Sequence, residues 1–139
     1  MSSLAKWVTD GISIEMTKQA KEIADNLAKS GKKSENGKER SVKPMSTNQL
    51  RKFFGEIKRI QASGFSADTV DDVIMLKPKL AYAVGRDKCE SKIYLFYEEI
   101  GPALDKIDCK DITEGEKHFK NFIKIFEAIV AYHKAAGGE

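Results

Sequence analysis

Cysteine, proline, histidine and tryptophan are all scarce in this 139-residue chain, with two, three, two and one copies. Each scarcity closes off a class. Cys89 and Cys109 are too few for a disulfide scaffold. Cys89 stands at an apolar-periodic position, which predicts a reduced and mainly buried thiol. His118 and His133 fall on the same predicted helix, too far apart to clasp one ion. No paired Cys or His completes a tetrahedral site with Cys109, so no metal and no cofactor is expected. No apolar run approaches the roughly 18 residues of a membrane span. The first residues, MSSLAKWVTDG, lack the apolar stretch of a signal peptide. A cytoplasmic protein without membrane association is expected.

Catalytic motifs are missing too. There is no glycine-rich phosphate loop, no dinucleotide fingerprint and no nucleophile elbow. Asp71–Asp72 and Glu98–Glu99 are adjacent pairs, and neighbouring helical side chains point about 100° apart, a poor metal clamp. Asp68 and Asp72 share a helical face but would need a partner's ligands to hold Mg²⁺. Tyr82 and Tyr94 lie in apolar-rich helices and are expected to bury their rings. No nucleophile–base–orienter set emerges, so no catalytic residue and no enzyme activity is expected.

What is present is charge and periodicity. Residues 1–139 are expected to form a single helical domain, with 41% apolar residues to supply a core. The net charge of +3 is a mild bias, but its distribution is uneven. Lys32, Lys33, Lys38, Arg40 and Lys43 crowd 30–44, and Lys77, Lys79, Arg86, Lys88 and Lys92 crowd 77–92. The stretch 98–116 is acidic. Such a chain has one region for an anion and another for a basic protein surface.

Apolar spacing predicts an all-α, compact bundle of five to six helices and no strand. Ile12, Met16, Ala20, Ile23, Ala24 and Leu27 mark a first helix over 13–30, ended by Gly31. The insert SGKKSENGKERSVKP has one aliphatic residue and reads as a mobile basic loop over 31–44. A second helix starts at a capping box, Ser46 with Gln49, and ends at Gly64. Ser66 or Asp68 caps a third, and Pro78 opens a short fourth that Gly85 closes. Cys89, Ile93, Phe96, Ile100, Ala103 and Ile107 form a continuous seam, with a kink or a break expected at Gly101–Pro102. Thr113 and Glu116 suggest a second capping box, opening a last helix that runs to about Ala136.

The sharpest feature is STNQLRKFFGEIKRIQ, over 46–61. Leu50, Phe53, Phe54, Ile57 and Ile60 make one apolar face, while Arg51, Lys52, Lys58 and Arg59 lie opposite. Gly55 sits amid the cations, where a glycine costs the helix about 1 kcal/mol relative to alanine. It leaves space for a phosphate backbone. Arg86 and Lys79 form a second basic group. Phosphate contacts of this kind position a nucleic acid without reading its bases. Solvated helices also carry charge opposite their core face.

The segment MSTNQLRKFFGEIKRIQ, followed by LKPKLAYAVGR, resembles the small-subunit family of type III-A CRISPR effector complexes. The two blocks cover 45–86. The resemblance implies a non-catalytic assembly protein, stacked in several copies beside the backbone subunits that hold the CRISPR RNA. It implies contact with target RNA, with other copies of itself and with the large polymerase-like subunit. Carried over by position, Arg51, Lys52, Lys58, Arg59, Lys79 and Arg86 are the candidates for RNA-backbone contact. The competing reading is a helical protein–protein adaptor with no direct nucleic-acid role. A helix-turn-helix with its turn at Ala62–Phe65 and its second helix at Ser66–Leu76 is disfavoured, because Asp68, Asp71 and Asp72 would repel DNA from that second helix.

Overall fold

A computed structural model describes residues 4–139. Its helices are α1 (Ala5–Asp10), α2 (Ile14–Leu27), α3 (Thr47–Ser63), α4 (Val70–Ile74), α5 (Leu76–Asp87), α6 (Ile93–Asp105) and α7 (Ile112–Ala135). The all-helical bundle read from apolar spacing is therefore found, with two of these helices only five or six residues long.

The long α7 is the hub, packing against α1, α2 and α3. Its apolar residues occupy a broad face because Phe119, Phe122, Ile123, Phe126 and Ile129 recur at the helical period. Phe126 is ringed by aromatics. Phe53 and Phe96 approach it at 5.6 and 5.4 Å, and Phe54 stacks on it at 5.2 Å. These contacts fix which side of α3 faces inward, and hence which side faces out. The C-terminal end is locked by His133, whose buried ring lies 2.7 Å from the Met45 carbonyl oxygen through Nε2. A side chain at Gly138 would run into that imidazole.

Several local expectations are corrected. The insert after α2 is not an unstructured loop. Gly31–Glu35 (β1) and Lys38–Val42 (β2) pair antiparallel, with Gly31 opposite Val42 and Glu35 opposite Lys38. Asn36 and Gly37 make the turn, both with positive φ (52° and 78°), the combination that two-residue hairpins favour. The hairpin is anchored by buried Val42 and by the Lys43 N–H donating to the Glu90 carbonyl at 2.8 Å. Helix α2 stops at Leu27, ahead of Gly31. Gly31 serves close approach instead: a Cβ there would lie 2.8 Å from Cε of Lys92. Lys92 is itself buried and donates to the Asn26 carbonyl and side-chain oxygens at 2.8 Å.

Gly85 does not close α5; the helix runs through it and ends where Lys88 turns left-handed. Cys89 follows with φ of 60° and is only half-buried, outside the helix its spacing suggested. Helix α6 continues through Pro102 as one element. Asp111, not Thr113, caps α7, accepting from the Glu114 N–H at 3.2 Å. Thr69, not Ser66 or Asp68, precedes α4.

Candidate nucleic-acid interface

The α3 capping box is complete. Ser46 Oγ accepts from the Gln49 N–H at 3.1 Å, and Gln49 Oε1 accepts from the Ser46 N–H at 2.9 Å. This sets the helix phase. With Leu50, Phe53, Ile57 and Ile60 buried, Arg51, Lys52, Gly55, Lys58 and Arg59 occupy an outward arc of about 120° at 100° per residue. Arg51, Gly55 and Arg59 follow the i, i+4, i+8 line, so the glycine leaves a gap between two cations. A Cβ at Gly55 would meet nothing within 4 Å. The fold does not require glycine there.

Beside this face runs α5. Lys52 and Glu56 of α3, Lys79, Arg86 and Asp87 of α5, and Glu90 beyond it line an open groove of about 520 Å³, so its cations are interleaved with acids. Glu56 ties its walls together, accepting from Arg59 at 2.9 Å and from Lys79 at 3.4 Å. The Arg59 hydrogen bond is the main reason that the Glu56 carboxyl is held below its ordinary pKa.

The six candidate cations therefore separate into two sets. Arg59 and Lys79 are paired to Glu56. Arg51, Lys52, Lys58 and Arg86 are exposed and make no ion pair among the described residues. Lys58 lies 5.5 Å from the Phe54 ring centroid, a modest cation–π contact. The groove joins Lys52, Lys79 and Arg86; Arg51 and Lys58 face away from it.

Other readings are redistributed. Tyr94 is half-buried, with Lys33 Nζ 4.2 Å over its ring, but Tyr82 stands 68% exposed on α5 rather than buried. Much of the acidic stretch is occupied locally. Asp105 pairs with Lys77 at 2.7 Å, Asp111 caps α7, and Asp108 accepts from the Lys110 and Asp111 N–H groups at 2.9 Å each. The two amides hold the Asp108 pKa below its ordinary value. His118 accepts from the Asp108 N–H through Nδ1 at 3.2 Å. The hairpin root carries a second hollow of about 370 Å³, with Arg40, Lys43 and Glu90 on its walls.

The structure thus presents a helical bundle with exposed cations on one face of α3 and an open groove of mixed charge beside it. Among the described residues no group of His, Cys, Asp or Glu is placed to hold a metal ion, and no helix is long and apolar enough to cross a membrane. Residues 15–139 match the Csm2 Type III-A family, and the chain belongs to it. Members of this family are non-catalytic, RNA-associated subunits of CRISPR effector complexes. No curated protein and no solved structure matches the chain.

Proposed function

We propose that the outer face of α3 and the adjoining edge of α5 hold the phosphates of CRISPR RNA and its paired target. Several copies stack along that RNA, beside the backbone subunits and against the large polymerase-like subunit, in the cytoplasm. The observation that carries the reading is the set of unpaired cations: Arg51 and Lys52 on α3 and Arg86 on α5 are exposed and make no ion pair among the described residues. Each copy neutralises a few phosphates weakly, and repetition along one RNA supplies avidity. The acidic stretch contributes less to stacking than its composition suggests, since Asp105, Asp108 and Asp111 already have partners.

The test is fluorescence anisotropy with labelled single-stranded RNA over a salt series, using the wild type and R51E/K52E. Both positions are exposed, so circular dichroism should be unchanged. Loss of two phosphate contacts lowers the slope of log K against log salt by about 1.4 for a single strand. Unchanged affinity and slope in the double variant would favour the adaptor reading, in which this face only solubilises the subunit.

A further inference from the structure

The apolar pattern does not account for Tyr82. Its side chain is the one aromatic among the large apolar residues that are exposed within the described part of the chain. It makes no ring contact and no hydrogen bond among the described residues. Burial therefore does not explain why a ring stands there.

Its neighbours are informative. On a helix, residues three and four apart share a face. Lys79 and Arg86 therefore flank Tyr82 on either side along α5, within an arc of about 60°. The two cations are seven residues apart, about 10 Å along the axis, with the ring between them. Both side chains are long and flexible, so their charged ends can close in from that separation onto the two phosphates that flank a single base. Gly85 lies one turn beyond Tyr82, and a Cβ there would meet nothing within 4 Å. A glycine inside α5 that packing does not demand leaves the flank of the ring open. Lys79 is tied to Glu56 at 3.4 Å, but both groups are 39% or more exposed, so exchanging that pair for a phosphate costs little.

We propose that Tyr82 is a stacking platform for one unpaired base of a single-stranded RNA segment, with Lys79 and Arg86 clamping the phosphates beside it. The proposal rests on the phosphate-binding reading above and adds a base contact to it. Stacking on a tyrosine face is tolerant of sequence, because every base has a π-face. The ring would therefore fix the register of the strand on the subunit without selecting bases. A partner protein would suit the exposed ring, but the paired cations along the same stripe favour an anionic polymer.

The test uses the full chain with labelled single-stranded RNA and the same strand carrying abasic positions. Tyr82→Ala is expected to weaken binding of the intact strand roughly tenfold. Its salt slope should stay at the wild-type value, because no phosphate contact is removed. Tyr82→Phe should bind like the wild type. The abasic strand should weaken wild-type binding to the level of Tyr82→Ala, and Tyr82→Ala should not distinguish the two strands. Normal, salt-dependent binding by Tyr82→Ala would overturn the stacking proposal and leave the phosphate surface standing. Loss of self-association in sedimentation, with RNA binding intact, would place Tyr82 at a protein interface and likewise overturn it. Failure of the wild type to bind RNA at any salt would overturn both readings.

Discussion

Identical substitutions at two glycines should move stability in opposite directions. Gly55 lies mid-helix in α3 and Gly115 in the first turn of α7. Replacing either by alanine removes backbone freedom from the unfolded chain and favours the helix, by about 1 kcal/mol at an interior position. At Gly55 nothing opposes the gain, since the added methyl meets open space. At Gly115 the methyl would run into the backbone carbonyl oxygen of Asp108 and lie 2.7 Å from the Phe65 ring. Neither obstacle is the free end of a flexible side chain. Asp108 is fixed in the turn before α7, and Phe65 is 7% exposed and packed against Phe119 at 5.6 Å. Overpacking of this kind costs roughly 1–3 kcal/mol, occasionally more, and exceeds the helical gain in an end turn. Urea unfolding followed by circular dichroism should show Gly55→Ala more stable by about 1 kcal/mol and Gly115→Ala less stable by about 1–2 kcal/mol. The same Gly55→Ala protein should bind RNA more weakly than the wild type, because the gap between Arg51 and Arg59 is filled. A less stable Gly55→Ala, or a Gly115→Ala as stable as the wild type, would refute the packing argument. A stabilised Gly55→Ala with undiminished RNA affinity would separate this glycine from binding.

Two further outcomes test the frame that holds the site. His133→Phe keeps the buried ring but leaves the Met45 carbonyl without its side-chain partner, which should cost roughly 1–3 kcal/mol in urea unfolding. Asp108 has its folded pKa depressed below 3.8, chiefly by the amides of Asp111 and Lys110. Its stabilising contribution is therefore complete above the unfolded value and is lost as pH falls through the folded one. The stability gap between wild type and Asp108→Ala should be widest above pH 3.8 and should close below it; a gap independent of pH would show that the carboxylate charge is not what matters.

How much of this was legible beforehand depends on how local the determinant is. Helix α3 was readable because its cap, its period and its terminating Gly64 lie within one stretch of chain, and each agrees with the others. The hairpin leaves no trace in the apolar pattern because its strands do not alternate; Val42 alone is buried. The usable signal was Asn36–Gly37, whose turn chemistry is local and whose cross-strand pairs, Lys32–Glu39 and Glu35–Arg40, fit the register. The exposure of Tyr82 is hidden from the sequence for a different reason. Helix α5 has small apolar residues on several sides, so its own sequence does not say which side meets the bundle. The approach of α6 settles that by burying Leu76 and Leu80, and the stripe through Lys79, Tyr82 and Arg86 is left outside. Tertiary packing divided the cations in the same way. Only when α3 and α5 lie side by side does Glu56 reach both Arg59 and Lys79, so spacing along the chain nominated six equivalent residues where the structure distinguishes two that are paired from four that are not. The patterns in the chain therefore nominate a surface, while the distance between two helices decides which of its charges stand unpaired.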